Sequence, residues 1–219
     1  MEKQVLGNLA KAVREFDAAG AILWASKAVE EGIDPLVGLG ALTEAIREVG
    51  DAFGAGECFL PELVAAAEAM QGAIPILEKE IKKRGQKRES AGKVVVGTVF
   101  GDIHNIGKTI LCTLLTADGF EVVDMGIDVP VDRFVSAVKE HQPDVLAMSA
   151  LLTITAQEQK NVIEGLKAEG MRDHVKVIVG GGAISDHFAK SIGADGYDPT
   201  APGGVRLARS LMDTSMEKD

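Results

Sequence analysis

Cysteine and uninterrupted apolar sequence are both scarce in this chain. Cysteine occurs twice, at Cys58 and Cys112, with no CxxC or other metal-ligand spacing. Two reduced, mostly buried thiols in a cytoplasmic protein are therefore expected. No apolar run approaches the roughly 20 residues that cross a bilayer. The N-terminal Met-Glu-Lys-Gln-Val has no basic region followed by an apolar core, so no signal peptide is expected. Excess positive charge is lacking as well: 23 Lys and Arg stand against 33 Asp and Glu, a net charge of −10. That balance argues against nucleic acid or an anionic membrane as partner, because both need a basic footprint. One basic cluster lies between Lys79 and Lys93 and reads as a solvated helix end and linker.

From Glu2 to about Lys83 the chain is rich in Ala, Leu, Glu and Lys and shows no strand-like alternation. Val5, Leu9, Ala12, Val13 and Phe16 follow the spacing of one buried helix face, with Gly20 expected to break it. A second helix is expected over Ile22–Glu30, ended by Gly32. Asp34-Pro35 is a cap followed by proline at the first helical position, opening a third helix to about Phe53. Pro61 opens a fourth, through Leu63, Met70 and Leu77, with Pro75 a candidate kink. Four helices with short connections predict a small antiparallel bundle. Just before the fourth, Phe59 and Leu60 are either a hydrophobic staple or apolar side chains presented outwards.

The rest alternates strand and helix. Strands are expected at Val94–Val99, Glu121–Asp124, Val145–Ser149, Val175–Val179 and around Asp195–Asp198. Helices follow over Lys108–Ala117, after Pro130 (Phe134–Glu140), Ala156–Ala168, Ser185–Ile192 and Gly203–Leu211. Five such units predict a parallel five-stranded, flavodoxin-like or Rossmann-like sheet covered on both faces. The fold class is thus α/β, with a helical domain at 1–90, linker included, and a sheet domain at 91–219. In such folds ligands bind at the C-terminal ends of the strands.

Those ends carry the informative residues. The first strand is followed by Gly101-Asp102-Ile103-His104-Asn105-Ile106-Gly107, the third by Ser149-Ala-Leu151-Leu-Thr153-Ile-Thr155, the fourth by Gly180-Gly181-Gly182-Ala183, and the fifth runs into Tyr197-Asp-Pro-Thr-Ala-Pro-Gly-Gly. No GxGxxG follows the first strand. A Walker loop asks for glycine where Asp102 stands, so Gly107-Lys108-Thr109 is a partial match and is set aside. A metal-binding imidazole needs a partner on its second nitrogen, and Asp102, two residues from His104, is placed to be one.

Taken together, Asp102-x-His104-x-x-Gly107, Ser149-x-Leu151 and Gly180-Gly181 resemble the DxHxxG, SxL and GG motifs of cobalamin-binding domains. The leading helices resemble the cap module of methionine synthase-type B12 proteins. The whole is similar to the small corrinoid proteins of methyltransferase systems. The resemblance implies a corrinoid held with His104 as cobalt's lower axial ligand. It also implies Ile103, Asn105 and Gly107 around the cofactor, and Ser149, Thr153 and Thr155 hydrogen-bonded to its buried tail. Leu151 would pack on that tail, Gly180 and Gly181 would let it pass, and Phe59 and Leu60 would lie over the corrin's upper face. Where methionine synthase extends the pair with a serine hydroxyl, the corresponding residue here is Thr155.

The function so implied is methyl carriage. Methyl is accepted on Co(I) from a substrate-specific methyltransferase and passed to a second methyltransferase acting on tetrahydrofolate or coenzyme M. A reductive activase is a further implied partner, and residues 85–92 an implied hinge. The B12 subunit of an adenosylcobalamin mutase and a B12 sensor are the alternatives. The helical cap argues against the first, and the absence of an evident output module against the second.

Overall fold

The computed structural model describes residues 1–86 and 90–216. Residues 87–89, within the expected hinge, and 217–219 lie outside it. The chain divides into two compact units, Met1–Glu89 and Ser90–Asp219.

The first unit is built from α1 (Glu2–Arg14), α2 (Ala18–Glu30), α3 (Pro35–Gly54) and α4 (Leu60–Lys83). In it α1 packs on α2 and α3, and α4 on α2 and α3. Apolar faces at helical spacing bury Leu9, Leu42, Ile46, Leu63, Met70 and Leu77 almost completely. The break after α1 is not at Gly20. It falls at Phe16, which takes a left-handed φ of 63°, and Asp17, whose carboxylate accepts the Gly20 N–H at 2.8 Å to cap α2. Gly20 belongs to the first turn of α2, where a Cβ would overlap the capping carboxylate. Asp34 caps α3 as expected, accepting the Leu36 N–H at 3.0 Å. α4 runs on through Pro75 to Lys83. At its start the Phe59 N–H donates to Glu62 Oε2 at 2.6 Å. The Phe59 ring is 73% exposed, so it is presented outwards rather than buried as a staple.

The second unit is a parallel sheet in the order β2-β1-β3-β4-β5, formed by Lys93–Thr98 (β1), Glu121–Asp124 (β2), Val145–Ser149 (β3), Lys176–Gly180 (β4) and Gly196–Tyr197 (β5). The strands alternate with α5 (Ile106–Ala117), α6 (Val131–His141), α7 (Thr153–Ala168), α8 (Asp186–Ile192) and α9 (Ala201–Met216). This is the flavodoxin-like order, whose direction reverses between β1 and β3, leaving a crevice at their C-terminal ends. Three helices begin two or three residues before their expected starts, α5 at Ile106, α7 at Thr153 and α9 at Ala201, whereas α6 begins at Val131, directly after Pro130 as expected. The residues added at Ile106, Gly107, Thr153 and Ile154 are exposed, and hydrophobic spacing, which reports burial, does not include them. One face of the sheet packs Val95, Leu146 and Val177 against Phe134, Val162, Ile163 and Leu166. No helix among the described residues is long and apolar enough to cross a membrane.

Candidate functional site

β1 delivers Asp102 and His104 into the crevice. Asp102 is wholly buried and is held by two loops at once. Its Oδ1 accepts the His104 N–H at 3.0 Å and lies 2.7 Å from His104 Nδ1. Its Oδ2 accepts the Leu151 N–H at 2.8 Å, the Leu152 N–H at 3.3 Å and the Thr155 hydroxyl at 2.6 Å. Burial pushes this carboxyl up, but the hydrogen bonds from Thr155, His104 and Leu151 outweigh it and hold Asp102 well below the usual carboxylate range. An ionised carboxylate only accepts, so His104 Nδ1 carries the proton. Nε2 is then left with its lone pair on a side chain that is 46% exposed. Thr98, buried at the end of β1, fixes the loop by donating its hydroxyl to the His104 carbonyl at 3.1 Å. A nitrogen with a free lone pair, oriented from behind by a carboxylate, is the arrangement of a metal-ligating imidazole.

Beside His104 opens a cavity of about 520 Å³ between the sheet and α5 and α9. Register sets Val96, Ala147 and Ile178 side by side, with Thr98, Ser149 and Gly180 two residues further on. Successive side chains of a strand alternate in face, so both rows look the same way. The helical wall includes Lys108, Leu111, Gly204 and Leu207. Lys108 is almost fully buried, and its ammonium is 2.6 Å from Asp124 Oδ1. Burial opposes ionisation of Asp124, but Lys108 prevails and its carboxyl is held below the ordinary value. Nearby Cys112 is pushed up to about 12 by burial and then by Asp124, so it is an inert thiol. Cys58 is likewise raised, by burial and by Glu62.

The ends of β3 and β4 are clamped from the opposite side of the sheet. Gln159, fully buried on α7, donates Nε2 to the carbonyls of Met148 at 3.1 Å and Gly180 at 3.2 Å. Both neighbours are acceptors, which fixes the amide's orientation. Gly181 turns the chain with φ 117°; a Cβ there would overlap the Ala150 carbonyl.

Of the residues singled out in the sequence, Ile103, His104, Asn105, Gly107, Ser149, Leu151, Gly180 and Gly181 line this cavity. Asp102 stands behind His104. Thr153 and Thr155 lie in the first turn of α7 rather than in a loop, and neither lines the cavity. The Thr155 hydroxyl is turned to Asp102, which extends the imidazole–carboxylate pair as the resemblance implied and takes the place of a hydrogen bond to a bound tail. Phe59 and Leu60 belong to the helical unit. Sequence reasoning pointed to the loop after the fifth strand but gave Asp198 and Thr200 no role, and it missed Lys108 and Gln159. The only signal for Lys108 was the partial Walker fragment; Gln159 has none, because a buried amide on an amphipathic helix looks like a surface residue.

Fold and site together define a flavodoxin-like binding module with one imidazole donor at the mouth of a deep cavity. Residues 92–205 match a B12 binding domain family, and residues 5–78 match a second B12 binding domain family. The chain therefore belongs to the family of B12-binding proteins. It is 42% identical over 213 residues to the trimethylamine corrinoid protein of Methanosarcina barkeri, covering 96% of this chain and 98% of that one. A cobalamin-binding protein from Desulfitobacterium hafniense DCB-2, solved by crystallography, superimposes with TM-score 0.79 at 34% identity, over 94% of this chain and 98% of that one. A chain of the methanol:cobalamin methyltransferase complex of Methanosarcina barkeri gives TM-score 0.83 at 30% identity, over 96% of this chain and 80% of that one.

The residues fit a corrinoid. A single nitrogen donor suits a metal that brings its other ligands with it, and the adjoining cavity has the size of a small-molecule site.

Proposed function

We propose that the chain is a methyl carrier. In this reading it binds a corrinoid with His104 as the cobalt's lower ligand and receives methyl from a substrate-specific methyltransferase. It then yields methyl to a second methyltransferase, acting on tetrahydrofolate or coenzyme M, with a reductive activase as a third partner. The observation that carries the proposal is the Asp102–His104 pair, with Nδ1 tied down and Nε2 left free at the cavity mouth.

When bound, the corrinoid supplies the cobalt that carries the methyl group. Everything else falls to this chain. Asp102 fixes the imidazole tautomer, and Thr155 and the Leu151 N–H hold Asp102 in place. Asp102 would keep the proton at Nδ1, so that Nε2 would be the atom to hold the cobalt. Ile103, Asn105, Gly107 and Leu151 shape the mouth, Ser149 offers its hydroxyl to the tail, and Gly180 and Gly181 make room for it. Phe59 and Leu60 are assigned as the cofactor's apolar contacts from the helical unit. The relatives support this reading: one is named for trimethylamine and another belongs to a methanol:cobalamin methyltransferase complex.

The test is a visible spectrum of apo-protein mixed with hydroxocobalamin and desalted, beside His104→Ala. Stoichiometric retention, with an axial-ligand signature lost in the variant, is expected. Correctly folded protein that retains no corrinoid would overturn the proposal.

A further inference from the structure

A third loop fastens the turn that carries Asp102 and His104. Resting on the corrinoid reading above, we infer that Asp128, in the loop between β2 and α6, is a positioning residue for the metal ligand. It grips the backbone on both sides of Gly101-Asp102 and so sets where His104 presents Nε2.

The turn is only partly tied by its own bonds. The Asp102 N–H donates to the Val99 carbonyl at 3.1 Å, closing four residues in which Gly101 takes φ 76°. That bond leaves the Gly101 N–H and the Asp102 carbonyl unused, and Asp128 takes both. Its Oδ1 accepts the Gly101 N–H at 2.7 Å, and its own N–H donates to the Asp102 carbonyl at 3.1 Å. The Asp102 carboxylate has no part in either bond; its two oxygens stay with His104, Leu151, Leu152 and Thr155. Because β1 lies between β2 and β3, the metal-ligand loop is anchored on both flanks. Its backbone is tied to the loop after β2, and the Asp102 side chain to the loop after β3.

The conformation of Asp128 points the same way. Phe16 and Gln142, the other non-glycine residues with positive φ among the described residues, follow the last turns of α1 and α6, where that shape ends a helix. Asp128, at φ 53°, stands inside a loop and ends no helix. Beside it the Val129 N–H donates to the Thr98 carbonyl at 3.0 Å, which keeps this loop against β1. A strained residue persists where its surroundings fix it, and such residues cluster at functional sites. Aspartate tolerates this φ better than most side chains and brings an acceptor with it. Losing a group that orients a metal ligand from behind weakens metal binding roughly ten- to hundredfold. Asp128 acts through the backbone, so the lower end, about tenfold, is expected.

The experiment titrates the full-length apo-protein, Asp128→Gly and Asp128→Asn with hydroxocobalamin, followed by visible absorbance, with the folds checked by circular dichroism. Glycine keeps the φ and the N–H but has no acceptor; asparagine keeps the acceptor. Asp128→Gly is expected to bind about tenfold more weakly, with a diminished axial-ligand signature, and Asp128→Asn to match the parent. In the apo-proteins, ¹⁵N shifts of the His104 ring in alkaline buffer are expected to place the proton on Nδ1 in the parent and in Asp128→Asn. A mixture of tautomers is expected in Asp128→Gly. Parental affinity, signature and tautomer in folded Asp128→Gly, or equal loss in both variants, would overturn the inference and leave the carrier reading intact. One measurement needs no variant: the Gly101 amide of the parent is expected to exchange at least about tenfold more slowly than an unbonded amide. Free exchange there would overturn the inference. Failure of the parent to bind hydroxocobalamin would overturn the carrier reading, and the inference with it.

Discussion

The Thr155 hydroxyl lies 2.6 Å from Asp102 Oδ2, across 53 residues of sequence. It bonds the carboxylate oxygen that His104 Nδ1 does not approach. The imidazole, the carboxylate and the hydroxyl therefore form one chain drawn from two loops, with the α7 N-terminus supplying its far end.

Removing that hydroxyl deprives a buried carboxylate of a hydrogen bond. Thr155→Ala is expected to lower the stability of the second unit by about 1.5–3 kcal/mol, read as a lower urea midpoint, and to weaken corrinoid retention. Thr155→Ser keeps the hydroxyl and is expected to recover most of both. A serine variant as impaired as the alanine one would show that the methyl, not the hydroxyl, matters here.

Gln159 is a second long-range device. Its amide spans the Met148 and Gly180 carbonyls, at the two strand ends from which Ser149 and Gly181 lead into the cavity. Gln159→Leu keeps much of the volume but leaves two carbonyls without this donor, at an expected cost of about 2–4 kcal/mol. Amide hydrogen exchange in residues 149–152 and 180–183 is expected to rise with it. Unchanged exchange there would limit Gln159 to ordinary packing.

Gly181 and Gly170 both have positive φ, at 117° and 68°, yet they should respond differently to alanine. Space around Gly170 is open, so Gly170→Ala is expected to cost only about 1 kcal/mol of backbone strain. Gly181→Ala adds a collision with the Ala150 backbone and is expected to cost at least about 3 kcal/mol, or to prevent folding of the second unit. Thermal melts of the two variants side by side make the comparison.

The Lys108–Asp124 pair sets a pH dependence. Asp124 has a folded pKa below its ordinary 3.8, so in that window the unfolded chain binds more protons and stability rises with pH. Its contribution is fully present above 3.8 and is lost as pH falls through the depressed folded value. Asp124→Asn is expected to be less stable than the parent by about 1 kcal/mol at pH 7. The gap should hold down to about pH 5 and close below pH 4. Urea titrations across that range test it; a gap that widens on acidification would contradict the pairing.

The bearing of sequence on structure differs from residue to residue. The apolar runs beginning at Val94, Val145 and Lys176 place three of the strands within a residue or two of where they form, because a short apolar run between turn signals marks a strand buried on both faces. The Asp34-Pro35 cap is legible for a similar reason: it acts within one turn of chain. Phe16 and Gly20 show where such reading stops. The glycine was the more conspicuous breaker, but the capping carboxylate of Asp17 placed it inside the next helix. The first residues of α5 and α7 were missed because Ile106, Gly107, Thr153 and Ile154 are exposed and so carry no burial pattern.

The Asp102–His104 pair and the spacing of the SxL and GG motifs could be read from sequence alone, because the first is a contact between residues two apart and the others recur at strand ends. The Thr155 hydroxyl on Asp102 was implied only by the resemblance to methionine synthase, and two relationships, the Gln159 clamp and the burial of Lys108 on Asp124, could not be read at all. Each joins groups from separate elements, and each puts a polar side chain where hydrophobic patterning expects either an apolar residue or solvent. What brings them together is the parallel register, which lines up Val96 with Ala147 and Ala147 with Ile178 and sets the loops above them side by side. That register is a property of the assembled sheet, in which neighbouring strands are separated in sequence by whole helices, so no local stretch of the chain encodes it.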